Sequence, residues 1–235
     1  MAAIKTARAR AREELTREIK QEARRQLASE GAQRLSLRAV ARELGMASSA
    51  LYRYFPSRDD LLTALIIDAY TEVGAAAEGA LAATAGESAR ARWRAACGAV
   101  RGWAVANPHE YALVFGTPVP GYRAPQETVA PASRVPLALI EAVRGALPSA
   151  TAAGAGAEQP FPGRLGEQLT LIRREFIPDL PEELIGRLVM AWSQLFGLIS
   201  FELFGHFAGS VDPADDFFAH AVELMADQLG LPRDT

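Results

Sequence analysis

GMASSALYRYFPSRDDLL, residues 45–62, sets three aromatics and an arginine side by side at positions 52–55 and then stops at Pro56. A helix turns by about 100° per residue, so consecutive side chains point in different directions. Leu51 and Phe55 stand one turn apart and can face a core, which leaves Tyr52, Arg53 and Tyr54 on the other side. A short helix with so much uncovered aromatic surface is hard to explain by folding alone. A phenol can hydrogen-bond a phosphate oxygen or stack on a sugar. Serines such as Ser48 and Ser49 can meet phosphates or base edges.

Outward from this stretch the pattern is helical. Leu15, Ile19, Ala23 and Leu27 stripe a first helix over about residues 5–29, closed by Glu30-Gly31. Ser36 caps a second, with Leu37, Val40, Ala41 and Leu44 at helical spacing, and Gly45 closes it. A third covers roughly 48–54, because Pro56 prevents continuation. Ser57 opens a fourth with Asp60 at the capping-box position, and the small-residue tract around 74–86 is expected to end it. Two short helices across a glycine turn describe a helix-turn-helix, the first packing and the second entering a DNA major groove.

Further on, Trp93, Cys97, Val100 and Trp103 recur at three- and four-residue steps until Asn107-Pro108. A short helix through Phe115 precedes the loop GTPVPGYRAP, residues 116–125. Helices are expected over 129–147, 165–176, 181–207 and 213–229, with a low-complexity stretch at 148–163. Alternating runs of Val, Ile and Thr are missing, so the fold class is all-α.

Charge is unevenly placed. The chain carries 25 Lys and Arg against 28 Asp and Glu, but 13 against 8 through Asp60 and 12 against 20 thereafter. A basic end on an acidic body points to a polyanion partner for that end. The single cysteine, Cys97, excludes an internal disulfide, fits a reducing cytoplasm and reads as a buried, inert thiol. The N-terminus lacks the apolar stretch of a secretory signal. Residues 188–207 approach bilayer-spanning length, but Gln194, Glu202 and His206 interrupt them, so a buried helix and no membrane partner are expected. Glu202 and His206, and Asp216 and His220, stand one turn apart without the further carboxylates a metal site needs. With no nucleophile–base pair or phosphate loop either, neither enzyme chemistry, metal nor cofactor is expected.

The run LSLRAVARELGMASSALYRYFPSRDDLL, with the Ala- and Arg-rich helix before it, resembles the DNA-binding domain of the tetracycline-repressor (TetR) family over about residues 15–70. The body resembles a subgroup with a "WHG" C-terminal domain, through Asn107-Pro108, Tyr111, Phe115-Gly116, Pro118, Pro120-Gly121-Tyr122 and Ala124-Pro125. The resemblance implies a three-helix DNA-binding domain at 1–56, a connecting helix at 57–80 and a helical ligand-binding and dimerisation domain at 81–235. It implies DNA contacts from Arg38, Ser48, Ser49, Ala50, Tyr52 and Tyr54, with Arg53 beside them, and a phosphate contact from Arg58. Lys5, Arg8 and Arg10 could form an arm along the DNA. Two departures stand out: Ala47 replaces the usual Ser or Thr cap, and Trp192-Ser193-Gln194-Leu195-Phe196-Gly197 has phenylalanine where the subgroup has histidine.

A short recognition helix reads few base pairs, so a homodimer on a palindromic operator is expected. The dimer surface is assigned to Leu188, Leu195, Ile199 and Leu203 of one late helix, and Phe217, Phe218, Ala221, Leu224 and Met225 of the next. Trp103, Tyr111, Phe115, Tyr122, Phe176, Trp192 and Phe196 are candidate walls of a cavity for a small apolar effector. The expected function is a transcriptional regulator, a repressor relieved by that effector. The rival is a helical ligand- or protein-binding module without sequence-specific DNA binding, for which the basic N-terminal segment has no use.

Overall fold

The structure, a computed structural model, describes residues 7–144, 146, 163–178, 180 and 182–234. Lys5 and most of the low-complexity stretch at 148–163 lie outside them. Among the described residues the chain is all helical, with no strand. The α-helices are α1 (Ala7–Glu30), α2 (Leu37–Glu43), α3 (Ser48–Leu51), α4 (Arg58–Ala83), α5 (Ala89–Ala106), α6 (Pro108–Phe115), α7 (Val129–Arg144), α8 (Gly163–Phe176), α9 (Glu182–Leu203) and α10 (Ala214–Gln228). Short 3-10 turns lie at Ala32–Arg34 and Gln126–Thr128.

Two compact units form. One comprises Met1–Thr71 with Asn107–Ala132, the other Glu72–Ala106 with Ser133–Thr235. The first is built on Ile19, Ala23 and Leu27 of α1, Leu37, Val40 and Ala41 of α2, Leu51 and Phe55, and Leu61, Leu62 and Leu65 of α4. Burying an aliphatic or phenyl side chain of this kind contributes about 1.5–3 kcal/mol. Leu113, Val119 and Tyr122, from α6 and the Pro-rich loop after it, pack against the same core. Polar contacts reinforce it. Asp68 of α4 accepts from Lys20 Nζ at 2.8 Å and Arg24 Nη2 at 3.0 Å, and Arg24 also pairs with Glu110 of α6 at 3.7 Å.

The second unit packs α5, α9 and α10 together, and α8 against α9. Trp93, Cys97 and Val100 of α5, Leu195 and Ile199 of α9, and Val222 and Met225 of α10 are buried. The buried Trp93 indole donates to the Val222 carbonyl at 3.2 Å. Arg90 secures the end of the chain, donating to Glu223 Oε2 at 2.6 Å, Asp227, and the carbonyls of Leu231 (2.6 Å) and Pro232 (2.9 Å). A buried guanidinium is tolerable only when it is satisfied this fully.

Several helix ends follow from local chemistry. Ser57 Oγ accepts from the Asp60 amide at 3.1 Å and donates to its carboxylate at 2.7 Å, starting α4. That helix ends inside the small-residue tract, at Ala83. Gly74 within it is explained by close approach: an added Cβ would lie 2.6 Å from Cβ of Arg134, whose guanidinium donates to Glu78 at 2.7 and 2.5 Å. The helix expected to run to 207 stops at Leu203. There Gly205 turns to φ +77 and the His206 amide returns to the Phe201 carbonyl at 2.8 Å. By length and composition Leu184–Leu203 could cross a membrane. A core helix of a soluble protein passes the same test; here Leu184, Leu188, Leu195 and Ile199 are buried, while Val189, Met190, Trp192 and Phe201 are exposed, so the helix is buried along one side and not on most sides as expected.

Candidate nucleic-acid interface

The helix-turn-helix is built by local rules. Ser36 caps α2, its hydroxyl accepting from the Ala39 amide at 3.4 Å. Gly45, at φ +64, closes the helix, and the Met46 amide bonds back to the Ala41 carbonyl at 2.8 Å. Ala47 is extended (φ −64, ψ 134) at the N-cap of α3 and supplies no side-chain cap. The Ala47 carbonyl instead accepts from the Ala50 and Leu51 amides at 2.9 and 3.3 Å. Regular α-helix ends at Leu51, three residues short of the expectation; turn bonds carry the chain on, with the Tyr54 and Phe55 amides donating to the Leu51 carbonyl at 2.8 and 3.1 Å.

Leu51 and Phe55 are buried in the core of the unit. Arg38, Ser48, Ser49, Tyr52 and Arg53 are exposed, and Ala50 is half-buried. Tyr54 departs from this group. It is half-buried against the core, and the Arg12 guanidinium carbon stands 5.1 Å from its ring centroid. Arg58 is also engaged: Nη2 donates to the carbonyls of Ala32 (2.8 Å) and Gln33 (3.3 Å) and Nε to that of Leu35 (3.2 Å). Its guanidinium thereby grips the 3-10 turn that leads into α2. Arg8 and Arg10 lie in the first turn of α1.

Sequence reasoning missed Arg12 and the buried Gln26, whose side-chain oxygen accepts from the Ser36 amide at 3.3 Å. It also missed Tyr70. Its ring meets Phe115 edge-on at 5.7 Å, and its hydroxyl donates to the Val114 carbonyl at 3.3 Å. Burial, and secondarily Tyr122, raises the Tyr70 pKa above the usual phenol value. Their partners are distant in sequence, so spacing carried no signal for any of them.

The effector candidates fall into separate groups. Tyr111, Phe115 and Tyr122 belong to the first unit, with Tyr111 and Phe115 5.1 Å apart and Tyr122 Oη 2.9 Å from Thr63 Oγ1. Trp103, Trp192 and Phe196 belong to the second, the last two in edge contact at 6.1 Å. The Phe176 side chain lies outside the described residues.

The dimer candidates divide as well. Leu188, Leu195, Ile199, Phe218 and Met225 are buried within the subunit, while Leu203 and Ala221 are half-buried and Phe217 and Leu224 exposed. Phe217, Ala221 and Leu224 line an open apolar groove of about 440 Å³ with Gly197, Leu198, Phe201 and Phe207. Arg101 ties both groove helices, donating to Glu202 at 2.7 and 2.6 Å and to Asp215 at 2.5 Å.

Among the described residues no cluster of His, Cys, Asp or Glu could hold a metal ion. Cys97 is fully buried, and burial pushes its thiol pKa far above the ordinary value.

Comparison with known proteins agrees with this architecture. Residues 19–65 match the family model described as bacterial regulatory proteins, tetR family. Residues 93–225 match a tetracyclin repressor-like C-terminal domain. The HTH-type transcriptional regulators Rv1816 of Mycobacterium tuberculosis and Mb1846 of Mycobacterium bovis are each 39% identical over 219 residues, 92% of this chain and 93% of theirs. The crystal structure of SCO4313 superposes with a TM-score of 0.78 at 33% identity, covering 94% of this chain and 100% of the other. A Rhodococcus sp. RHA1 protein of unknown function shares the fold, with a TM-score of 0.66 at 24% identity over 93% of this chain and 96% of its own.

Proposed function

Because this chain belongs to the tetR family of DNA-binding transcriptional regulators, we propose that it is a repressor that binds a palindromic operator as a homodimer and is released by a small apolar effector. The observation that carries the reading is the exposure of Arg38 on α2 and of Ser48, Ser49, Tyr52 and Arg53 on the α3 segment, which Leu51 and Phe55 seat in the core. Exposed hydroxyls and guanidinium groups in this arrangement suit phosphate and base-edge contacts. Arg58 serves that surface at one remove, by fixing the turn before α2.

The groove between α9 and α10 supports dimerisation. Phe201, Phe217 and Leu224 are large and exposed there, and a second copy of the same face would remove them from water. We place the body in the WHG subgroup on its Asn107-Pro108, Phe115-Gly116 and Pro120-Gly121-Tyr122 motifs, and the regulator in the cytoplasm without enzymatic activity. For release, the effector must bind one arrangement of the two recognition helices better than the other. α4, which starts beside the recognition helix and continues to Ala83, is the element through which that difference would pass.

The test is a gel-shift titration on the DNA upstream of the chain's own gene. Saturable binding that apolar candidate effectors reverse supports ligand-relieved repression. Operator affinity unchanged by every candidate at saturation overturns it.

A further inference from the structure

Resting on the DNA-binding reading, we propose that Arg12 of α1 is a DNA-backbone contact and that Tyr54 is the platform that presents it. The resemblance assigned Tyr54 to DNA directly, whereas in the structure Tyr54 packs half-buried against the core and the Arg12 guanidinium lies over its ring, 5.1 Å from the centroid. Arg12 Nη2 also reaches the Arg53 carbonyl at 3.5 Å, 41 residues further along the chain. These two contacts hold an exposed cation at the C-terminal end of the recognition segment, next to exposed Tyr52 and Arg53. A guanidinium has five donors in a rigid fork, and the long bond to Arg53 engages only one of them in part. Stacking on an aromatic face limits the wandering of a long side chain, so less freedom is lost when it meets a phosphate. One residue therefore braces the recognition segment in the free protein and meets the backbone in the complex.

A phosphate contact carries no sequence information, so the probe need not be the operator. Binding to a fluorescein-labelled duplex of mixed sequence, roughly 30 base pairs or three helical turns, is followed by anisotropy between about 50 and about 200 mM KCl. Full-length Arg12→Gln is expected to weaken binding about five- to tenfold at the low-salt end. It should also flatten the log–log salt slope by about 0.9 per bound subunit. Tyr54→Leu should reproduce that flattening and Tyr54→Phe should not, since phenylalanine keeps the ring. The Arg12→Gln/Tyr54→Leu double variant should lose no more than Arg12→Gln alone. Thermal melts of each variant separate loss of contact from loss of fold.

An unchanged slope in Arg12→Gln overturns the backbone contact and leaves Arg12 a brace only. A flattened slope in Arg12→Gln with a parental slope in folded Tyr54→Leu overturns the role of Tyr54. If the parent itself shows no salt-dependent binding to the duplex, the DNA-binding reading fails, and this inference with it.

Discussion

Replacing Arg58 by alanine removes three bonds at once, to the carbonyls of Ala32 at 2.8 Å, Leu35 at 3.2 Å and Gln33 at 3.3 Å. A hydrogen bond to a charged group contributes about 1.5–3 kcal/mol when well shielded. The Arg58 side chain is 31% exposed and two of the bonds are long, so water recovers much of that. The expected net loss is about 1–3 kcal/mol, or roughly 2–4 °C in Tm per kcal/mol for a chain of this size. Arg58→Lys sharpens the test, because an ammonium keeps the charge but not the planar fork that serves three acceptors. Both variants should show similar losses in urea unfolding followed by far-UV circular dichroism. Once binding is measured under conditions where the variants are folded, the salt dependence of DNA affinity should match the parent. Two folded variants as stable as the parent within about 0.5 kcal/mol would show that the grip on the turn contributes nothing. A flattened salt slope in Arg58→Ala with a parental slope in Arg58→Lys would return Arg58 to the phosphate.

Ala47→Ser supplies the cap that α3 lacks and should stabilise the first unit by about 0.5–2 kcal/mol. DNA affinity should stay within about twofold of the parent, because the first turn is already closed without DNA; hydrogen exchange at the Ala50 and Leu51 amides reads the first effect and anisotropy the second. At the other end of the chain, Arg233 and then Arg90 hold the Asp227 carboxyl down to about 2, from an ordinary 3.8. A depressed carboxyl contributes stability that is present above its ordinary value and lost as pH falls towards the depressed one. Asp227→Asn should therefore flatten stability against pH between about 4 and about 2, in thermal melts across that range. Leu224→Glu puts a charge into the exposed groove without touching the subunit core, and should yield a folded monomer by sedimentation velocity. A dimer of parental affinity would place the interface elsewhere.

The parts of this fold that were legible in sequence are the local ones. Ser36, Gly45, Pro56 and Ser57 act within a few residues, through caps, a positive φ and a missing amide, so they placed the helix-turn-helix. The core face of α3 followed because Leu51 and Phe55 are one turn apart. The intramolecular contacts of Tyr54 and Arg58 were hidden, since Arg12 and the Ala32–Leu35 carbonyls reach them across more than twenty residues. The late helices show the same division. Their strong apolar patterns predicted two partners, but only packing separates the side that closes the subunit, with Leu195 and Met225, from the side left open, with Phe201 and Leu224. Residues 107–125 were placed with the C-terminal domain through the motifs that resemble the subgroup; that Leu113, Val119 and Tyr122 pack on the core of the first unit had no signal in the sequence, because those contacts join segments distant along the chain.

The most direct test of a dimeric, sequence-reading regulator is selection of bound duplexes from a random pool, followed by footprinting of the recovered sequence. The expected result is an inverted repeat whose half-site centres lie about one helical turn, 10–10.5 base pairs, apart or a multiple of that. Both halves should be protected, and Tyr52→Ala should lose the preference. A pool that stays unenriched while the protein remains folded and soluble, or a single asymmetric site bound by one subunit, would contradict it.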